Sequence, residues 1–133
     1  PILCVGEKER QGHGEHFSTI EEQLRAALSS LKKSEAKAMY LAYEPVWLIG
    51  KTAEFALKPM DVQEVVIFIR KVLVSLFGRS IGLSIPILYG AAVETENARD
   101  IVEGGGIDGL LVGHASINPD MFLEIVEAVS KVK

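Results

Sequence analysis

The sequence predicts a parallel α/β fold in which four short strands alternate with four helices. Segments with apolar residues at helical spacing follow each strand, and no tight-turn pattern of the kind that joins antiparallel strands is present. Strands that alternate with helices pair in parallel through right-handed crossovers. Four such units fit a small open sheet or half of an eight-stranded barrel, and periodicity does not choose between the two. The strands are expected at residues 1–5, 37–43, 85–89 and 110–112.

Capping residues mark the first two helices. Ser18 and Glu21 have the spacing of a capping box, which predicts a helix from there to about Lys32. Pro59 is a suitable first residue for the second helix, because its missing N–H is not needed there. Gly78 is a natural stop at the other end of that helix.

The last two helices are expected to be shorter. Thr95 can cap a helix that stops at the glycines 104–106. The pair Asn118–Pro119 has the pattern of a cap followed by a first-turn proline. The buried face of the final helix is expected to consist of Phe122, Ile125, Val126 and Val129.

Length and charge narrow the class of protein. The 133 residues suit one domain over 1–133, and a net charge of −4 without a dense basic block makes nucleic acid an unexpected partner. No apolar segment approaches the roughly 20 residues that a membrane span needs. Residues 1–15 lack the pattern of a signal peptide, so we expect a cytoplasmic protein without a membrane partner.

Cysteine and histidine give no sign of a metal or cofactor. Cys4 is the single cysteine, and its neighbours Leu3 and Val5 predict a small buried thiol rather than a nucleophile. His13 and His16 lie close in sequence, but no further Cys or His cluster completes a metal site. We expect them to be solvated loop histidines.

The most informative carboxylate is Glu44. The apolar run from Met39 to Ala42 predicts a strand, and Pro45 cannot continue it as a central strand. Glu44 is therefore expected at the carboxyl end of a strand, where α/β folds place catalytic groups. The alternative is a salt bridge at a strand end with no chemical role.

Four segments, taken together and in this order, closely resemble the triosephosphate isomerase family. The resemblance covers essentially the whole chain but only strands five to eight of the family's barrel. It implies a (β/α)4 half of a TIM barrel, and it makes a different phosphate-handling barrel enzyme a poor alternative. The segments are Pro-Ile-Leu-Cys-Val-Gly-Glu (1–7), Tyr-Glu-Pro-Val-Trp-Leu-Ile-Gly (43–50), Tyr-Gly-Ala-Ala-Val (89–93) and Asp-Gly-Leu-Leu-Val-Gly-His-Ala-Ser (108–116).

The resemblance gives Glu44 a chemical role. It implies that this carboxylate moves protons between the two carbons of dihydroxyacetone phosphate and glyceraldehyde 3-phosphate, in glycolysis and gluconeogenesis. Such a base must be held against a carbon acid in a site dry enough to raise its basicity. The segment after Glu44 resembles the family's mobile lid, with Trp47 at the first hinge and Tyr43 and Glu7 as partners for its indole in open and closed forms. The hinge and its support are then Pro45, Val46, Trp47, Tyr43, Glu7 and Tyr89.

The lid departs from the family pattern. Its usual tip, Ile-Gly-Thr-Gly-Lys-Thr-Ala, is here Ile-Gly-Lys-Thr-Ala over residues 49–53, which is two residues shorter. Residues 54–58 add about four before the helix.

The resemblance also marks a phosphate site built from backbone N–H groups, which suit a dianion without a basic side chain. Gly50 and Gly113 match phosphate-contacting glycines, while Ala92 replaces a serine and His114 replaces a glycine. His114 must then tolerate the backbone angles of a glycine. Two interpretations of the His114 side chain are equally open: its imidazole contacts the phosphate, or it has little functional effect.

The family's asparagine–lysine pair and its electrophilic histidine belong to strands one to four. Without them we expect the isolated chain to be a weak or inactive isomerase. The alternative is a non-catalytic, self-associating half-barrel that retains a phosphate site. Four strands cut from a barrel leave two unpaired edges, so we expect a homodimer or a higher homo-oligomer.

Overall fold

The computed structural model describes residues 1–10 and 12–132, and it shows a four-stranded parallel sheet in the order β1-β2-β3-β4. Each strand pairs with the next one along the chain, and the register aligns Val5 with Tyr43 and Tyr43 with Tyr89. The predicted parallel α/β fold is confirmed. The strands are β1 (Ile2–Val5), β2 (Tyr40–Tyr43), β3 (Ile87–Tyr89) and β4 (Gly109–Leu110).

Six helices occur in the described part of the chain, and two of them begin where the sequence predicts. Pro59 opens the longest helix, which Gly78 ends at φ 86°. The Asn118 side chain accepts hydrogen bonds from the backbone N–H groups of Asp120 and Met121, so it caps the last helix as expected. The helices are α1 (Glu15–Leu28), α2 (Lys33–Ala36), α3 (Pro59–Phe77), α4 (Arg79–Ser84), α5 (Ala98–Gly104) and α6 (Pro119–Ser130).

The predicted start and end of the first helix and the predicted cap of the third are wrong, whereas the third helix ends at Gly104 as expected. The first helix begins at Glu15 rather than Ser18, because Gly14 adopts φ 83° and turns the chain three residues earlier than the apolar spacing indicates. It also ends at Leu28, before a separate short helix, α2. Thr95 caps nothing: Asn97 closes that turn, through the carbonyl of Ala92 at 2.7 Å, and α5 starts after it.

The sequence gives no sign of α4, which forms by packing. A Cβ on Gly82 would lie only 2.5 Å from the backbone nitrogen of Val74, so a glycine is needed where α4 crosses α3. The third strand is accordingly shorter than predicted. Pro86 has no N–H to donate and contributes only its carbonyl, which accepts from Leu41 N–H at 3.0 Å.

One face of the sheet packs on the helices and the other is largely uncovered. Alternate side chains along β1 and β2 point to opposite faces, so Leu41 and Tyr43 are fully buried while Ile2 and Tyr40 are each 49% exposed. Cys4 lies on the uncovered face, and the predicted burial of its thiol is wrong. The reason is the position of β1 at the edge of the sheet, where no described element covers that face.

The predicted buried face of α6 is only partly correct. Ile125 is buried, but Phe122 is 40% exposed and Val126 47% exposed. Both residues lie on the side of α6 that no described element covers. The sequence can therefore indicate the apolar face of a helix correctly, although part of that face packs against no described element.

An ion pair fixes the end of the sheet opposite to Glu44. The Arg70 guanidinium donates to the Asp108 carboxylate at 2.7 Å and to the Ile85 carbonyl. The same carboxylate oxygen accepts from Ile87 N–H at 2.8 Å. Asp108 thus ties α3 to the start of β3. None of the described helices combines the length and apolar character needed to cross a membrane.

Candidate active site

A cleft of about 1070 Å³ opens at the carboxyl ends of the strands. Its walls are the loop after β2 and the segments that follow β3 and β4. The structure therefore brings together in one cleft five residues that the sequence points to separately: Glu44, Gly50, Ala92, Gly113 and His114.

The backbone of Glu44 is held against the end of β1. Its N–H donates to the Val5 carbonyl at 2.8 Å, and the side chain is half-buried. Gly6 lies so close that a Cβ at this position would be 1.9 Å from the Glu44 carbonyl oxygen. Only glycine fits there. The requirement is invisible in sequence order, because 38 positions separate the two residues.

A second glycine, Gly90, leaves space for the carboxylate of Glu44. A Cβ on Gly90 would lie 2.9 Å from Glu44 Oε1 and 3.1 Å from the Leu111 side chain. The first residue after β3 must therefore be small if the carboxylate is to face the cleft. A glycine directly after a predicted strand is the signal that could have indicated this.

Cys4 lies beside Glu44 and does not have the character of a nucleophile. Partial desolvation, followed by a hydrogen bond to Glu44 and the negative charge of that carboxylate, raises the pKa of the Cys4 thiol to about 11. The thiolate is therefore disfavoured at neutral pH. The thiol is therefore a neutral group beside the carboxylate.

Glu7 is the centre of a buried polar cluster next to the loop after β2. It is 1% exposed and accepts from the Tyr43 hydroxyl at 3.1 Å and from Trp47 Nε1 at 3.1 Å. The Arg10 guanidinium lies 3.5 Å from the same carboxylate and donates to the Tyr43 hydroxyl at 3.2 Å. These contacts compensate the cost of burying a charge. The sequence indicates Glu7, Tyr43 and Trp47 but gives no sign of Arg10.

The cluster also affects the Tyr43 phenol. Burial, followed by the negative charge of Glu7, raises the pKa of Tyr43 above its usual value. Tyr43 therefore stays a neutral donor to Glu7 at all physiological pH values. Trp47 and Tyr43 both donate to the Glu7 carboxylate, and Tyr43 directly precedes Glu44 in the chain. The indole is therefore held close to the strand end that carries Glu44.

The chain leaves β2 through a short helical turn, Val46–Leu48. Val46 N–H donates to the Glu7 carbonyl at 2.8 Å, and Leu48 N–H donates to the Pro45 carbonyl at 2.9 Å. Pro45 and Leu48 are buried, whereas Val46 is 45% exposed. The start of the loop is thus fixed to the segment that follows β1, while the outer surface of the loop is exposed.

Tyr89 lies under the far end of the same loop. It is fully buried, its ring centroid is 6.0 Å from that of Tyr43, and its hydroxyl makes no hydrogen bond within the described residues. Burial raises the pKa of Tyr89 to about 12, and the nearby backbone of Leu57 lowers it by less, although the two groups do not meet hydrogen-bond geometry. The Tyr89 hydroxyl is therefore a neutral group that lies next to Leu57.

The tip of the loop forms the rim of the cleft. Gly50 adopts φ 76°, a left-handed conformation that favours glycine, and a helical turn follows at Ala53–Phe55. The Lys51 ammonium lies 5.9 Å from the centroid of the Phe55 ring. Two of the five residues after Ala53, Glu54 and Phe55, thus lie in a helical turn before α3 begins.

Ala92, not His114, carries the unusual backbone angles at the other end of the cleft. His114 begins a helical turn (His114–Ile117) and has no positive φ, so the expected demand on it is absent. Ala92 adopts φ 46°, which is uncommon for a residue with a side chain. Asn97 stabilises this turn by donating to the Ala92 carbonyl.

The expectation for the two amino-terminal histidines is wrong for His16. It lies in α1, is 6% exposed, and neither ring nitrogen has a hydrogen-bond partner within the described residues. Burial, followed by the charge of Arg10, lowers the pKa of His16. No group of three potential metal ligands occurs in residues 1–10 and 12–132.

The fold and the site together define a class of protein. A parallel α/β sheet with a carboxylate at the mouth of a cleft, at the carboxyl ends of its strands, has the architecture of part of a barrel enzyme.

A family model described as triosephosphate isomerase matches residues 1–129, and the chain belongs to the triosephosphate isomerase family. The triosephosphate isomerase of Flavobacterium johnsoniae is 43% identical over 130 residues, which cover 96% of this chain and 51% of that relative. The corresponding protein of Fusobacterium nucleatum is 42% identical over 132 residues, with 96% and 51% covered. That of Carboxydothermus hydrogenoformans is 42% identical over 130 residues, with 96% and 50% covered. The chain thus spans about half the length of the curated relatives it matches, as expected for a half-barrel.

Proposed function

We propose that this chain supplies the catalytic base and the phosphate-binding side of a triosephosphate isomerase site. The observation that carries the proposal is the position of the Glu44 carboxylate, which lines the cleft between Gly50 and Gly113. A role in glycolysis and gluconeogenesis and a cytoplasmic location belong to the same proposal.

In the proposed reaction, Glu44 removes a proton from the hydroxymethyl carbon of dihydroxyacetone phosphate and leaves an enediolate. The same proton, or one from solvent, then returns to the neighbouring carbon, while the hydroxyl proton moves from the oxygen of the first carbon to that of the second, which gives glyceraldehyde 3-phosphate. Substrate and product are isomers, so no oxidant or cofactor is needed. Half-burial of Glu44 supports this role, because it limits the access of water to the carboxylate.

We propose that the phosphate of the substrate binds at the end of the cleft formed by Gly50, Ala92, Gly113 and His114. Gly50 and Ala92 adopt left-handed backbone conformations and line the cleft. Backbone N–H groups suit a dianion without a large cationic patch. His114, at the start of a helical turn, is free of backbone strain and available for a further contact.

The loop from Pro45 to Lys58 is proposed to be the lid. Its first hinge is held by the Trp47–Glu7 hydrogen bond, and its second end lies next to the Tyr89 hydroxyl. Closure over a bound triose phosphate would exclude water from Glu44. We further propose that groups outside these 133 residues polarise the substrate carbonyl, since no lysine or histidine here matches the family's positions for that task.

The test is isomerisation of dihydroxyacetone phosphate by the chain alone and mixed with a polypeptide that carries the first half of the Flavobacterium johnsoniae relative. We expect weak or absent turnover alone and a clear gain in the mixture. Glu44→Gln should remove the gain, and Glu124→Gln, an exposed carboxylate on α6, should keep it. Phosphate binding without turnover in either case would favour the non-catalytic half-barrel instead.

We also propose that the chain associates with itself. The uncovered face of the sheet exposes Ile2 and Tyr40, and α6 exposes Leu123 and Val126. Two copies related by a two-fold axis can cover both surfaces at once. Light scattering should show a dimer or larger species at micromolar concentration, and a well-folded monomer would contradict the proposal.

A further inference from the structure

Gly6 connects the two parts of the candidate site through its backbone. The carbonyls on either side of it, at Val5 and Glu7, accept from Glu44 N–H and Val46 N–H, both at 2.8 Å. Because backbone groups alternate in direction along a strand, the N–H and C=O of Gly6 point away from β2. They would lack partners at this sheet edge.

The Gln23 side chain, on α1, meets both groups at once. Gly6 N–H donates to Gln23 Oε1 at 2.9 Å, and Gln23 Nε2 donates to the Gly6 carbonyl at 3.0 Å. A single amide offers one donor and one acceptor side by side, as the backbone of a neighbouring strand would. Gln23 is half-buried, so water competes only partly for these bonds.

Gly6 is packed so closely that it cannot shift without moving its neighbours. A Cβ here would lie 1.9 Å from the Glu44 carbonyl oxygen and 3.0 Å from the Pro45 nitrogen, so Gly6 and the Glu44–Pro45 peptide are in close contact. The next residue, Glu7, holds Trp47 through its indole. A displacement of Gly6 would therefore move the base and the start of the loop together.

We propose that Gln23 is a positioning residue, whose amide clamps Gly6 and thereby sets the position of Glu44 and of the Trp47 hinge. It does not touch the cleft and takes no part in proton transfer. These two hydrogen bonds thereby fix the position of the Glu44 carboxylate relative to the end of β2. Its kinetic consequence rests on the proposed isomerase function, but its structural consequence does not.

The test compares Gln23→Leu and Gln23→Glu with the unchanged chain. Leucine removes both hydrogen bonds, and glutamate keeps only an acceptor for Gly6 N–H. Trp47 is the single tryptophan, so its indole N–H gives one signal in a ¹⁵N-correlated NMR spectrum. We expect this signal to move or broaden in both variants, more strongly for leucine. In the mixture that turns over dihydroxyacetone phosphate, kcat should fall roughly tenfold to a hundredfold with KM changed less than about twofold.

The matched controls are Gln63→Leu and Gln63→Glu, at an exposed position on α3. They should leave the indole signal and kcat unchanged. If Gln23→Leu does not fold, Gln23→Glu decides: an unmoved indole signal in that folded variant overturns the proposal. If the unchanged chain shows no turnover in any mixture, the isomerase proposal fails while the indole signal still decides the role of Gln23.

Discussion

Replacement of Gly90 by alanine should damage the site while leaving the fold nearly intact. The added Cβ would lie 2.9 Å from Glu44 Oε1, whereas ordinary contact begins at 3.4 Å, so the carboxylate must retreat by about 0.5 Å. On its other side the new Cβ would meet the Leu111 Cβ at 3.1 Å, which is attached to the backbone and cannot rotate away. The Glu44 side chain is therefore the group that moves furthest, and a small shift of the Gly90 backbone relieves the contact with Leu111.

The expected magnitudes differ for stability and activity. The added methyl group should cost about 1–3 kcal/mol of unfolding free energy. A base displaced by a fraction of an ångström from its carbon acid should lose roughly tenfold to a hundredfold in kcat/KM. The assays are urea unfolding of the chain and turnover of dihydroxyacetone phosphate in the two-polypeptide mixture.

Gly12→Ala is the matched control, because a Cβ at Gly12 would meet nothing within 4 Å. It should change neither stability nor turnover. Retention of full activity by Gly90→Ala would refute the argument that Gly90 makes room for the Glu44 carboxylate. A loss of more than about 4 kcal/mol of stability would also refute it, since the perturbation would then reach beyond the immediate neighbours of Gly90.

Three further predictions concern groups outside the reaction itself. Glu44→Gln removes the negative charge that helps to raise the Cys4 pKa to about 11, so alkylation of this thiol by iodoacetamide at pH 9 should accelerate roughly three- to tenfold. Asp108→Ala should lower the free energy of unfolding by about 1–2 kcal/mol in urea titrations, because Ile87 N–H loses its acceptor and Arg70 its partner. The pKa of His16 is lowered in the folded chain, so stability should be fully present above the unfolded value of 6.5 and fall below it as protons bind the unfolded state. The slope is at most about 1.4 kcal/mol per pH unit, and His16→Leu should remove this part of the pH dependence.

Each of these has a control in the same chain. Glu124→Gln should leave the Cys4 alkylation rate unchanged. Glu21→Ala breaks only an exposed pair with Arg25 and should cost less than about 0.5 kcal/mol. His13→Gln should keep the full pH dependence of stability; its loss in that variant would mean that His16 is not the titrating group.

Local chemistry allowed part of the fold to be predicted. The helix start at Pro59, the cap at Asn118 and the stop at Gly78 depend on a few neighbouring residues, and all three are confirmed. The parallel sheet follows from the alternation of strands and helices. The start of α1 was missed because Gly14 sets it through backbone conformation, before any apolar periodicity begins.

Features that depend on distant neighbours could not be predicted. Gly6 must be a glycine because of Glu44, and Arg10 meets Tyr43 across 33 positions. The exposure of Cys4 follows from the edge position of β1, which no local pattern reveals. Specific motifs indicated which residues would gather in the cleft, whereas the contacts that position them required the structure.

The proposed role of Glu44 as the base is tested most directly by proton exchange. In D₂O, a base that removes a proton from dihydroxyacetone phosphate exchanges it for deuterium at the hydroxymethyl carbon, and proton NMR follows the loss of that signal. The account predicts exchange catalysed by the unchanged chain in the two-polypeptide mixture, and a rate lower by about 10²–10⁴ for Glu44→Gln. Equal exchange rates for the two proteins would contradict it.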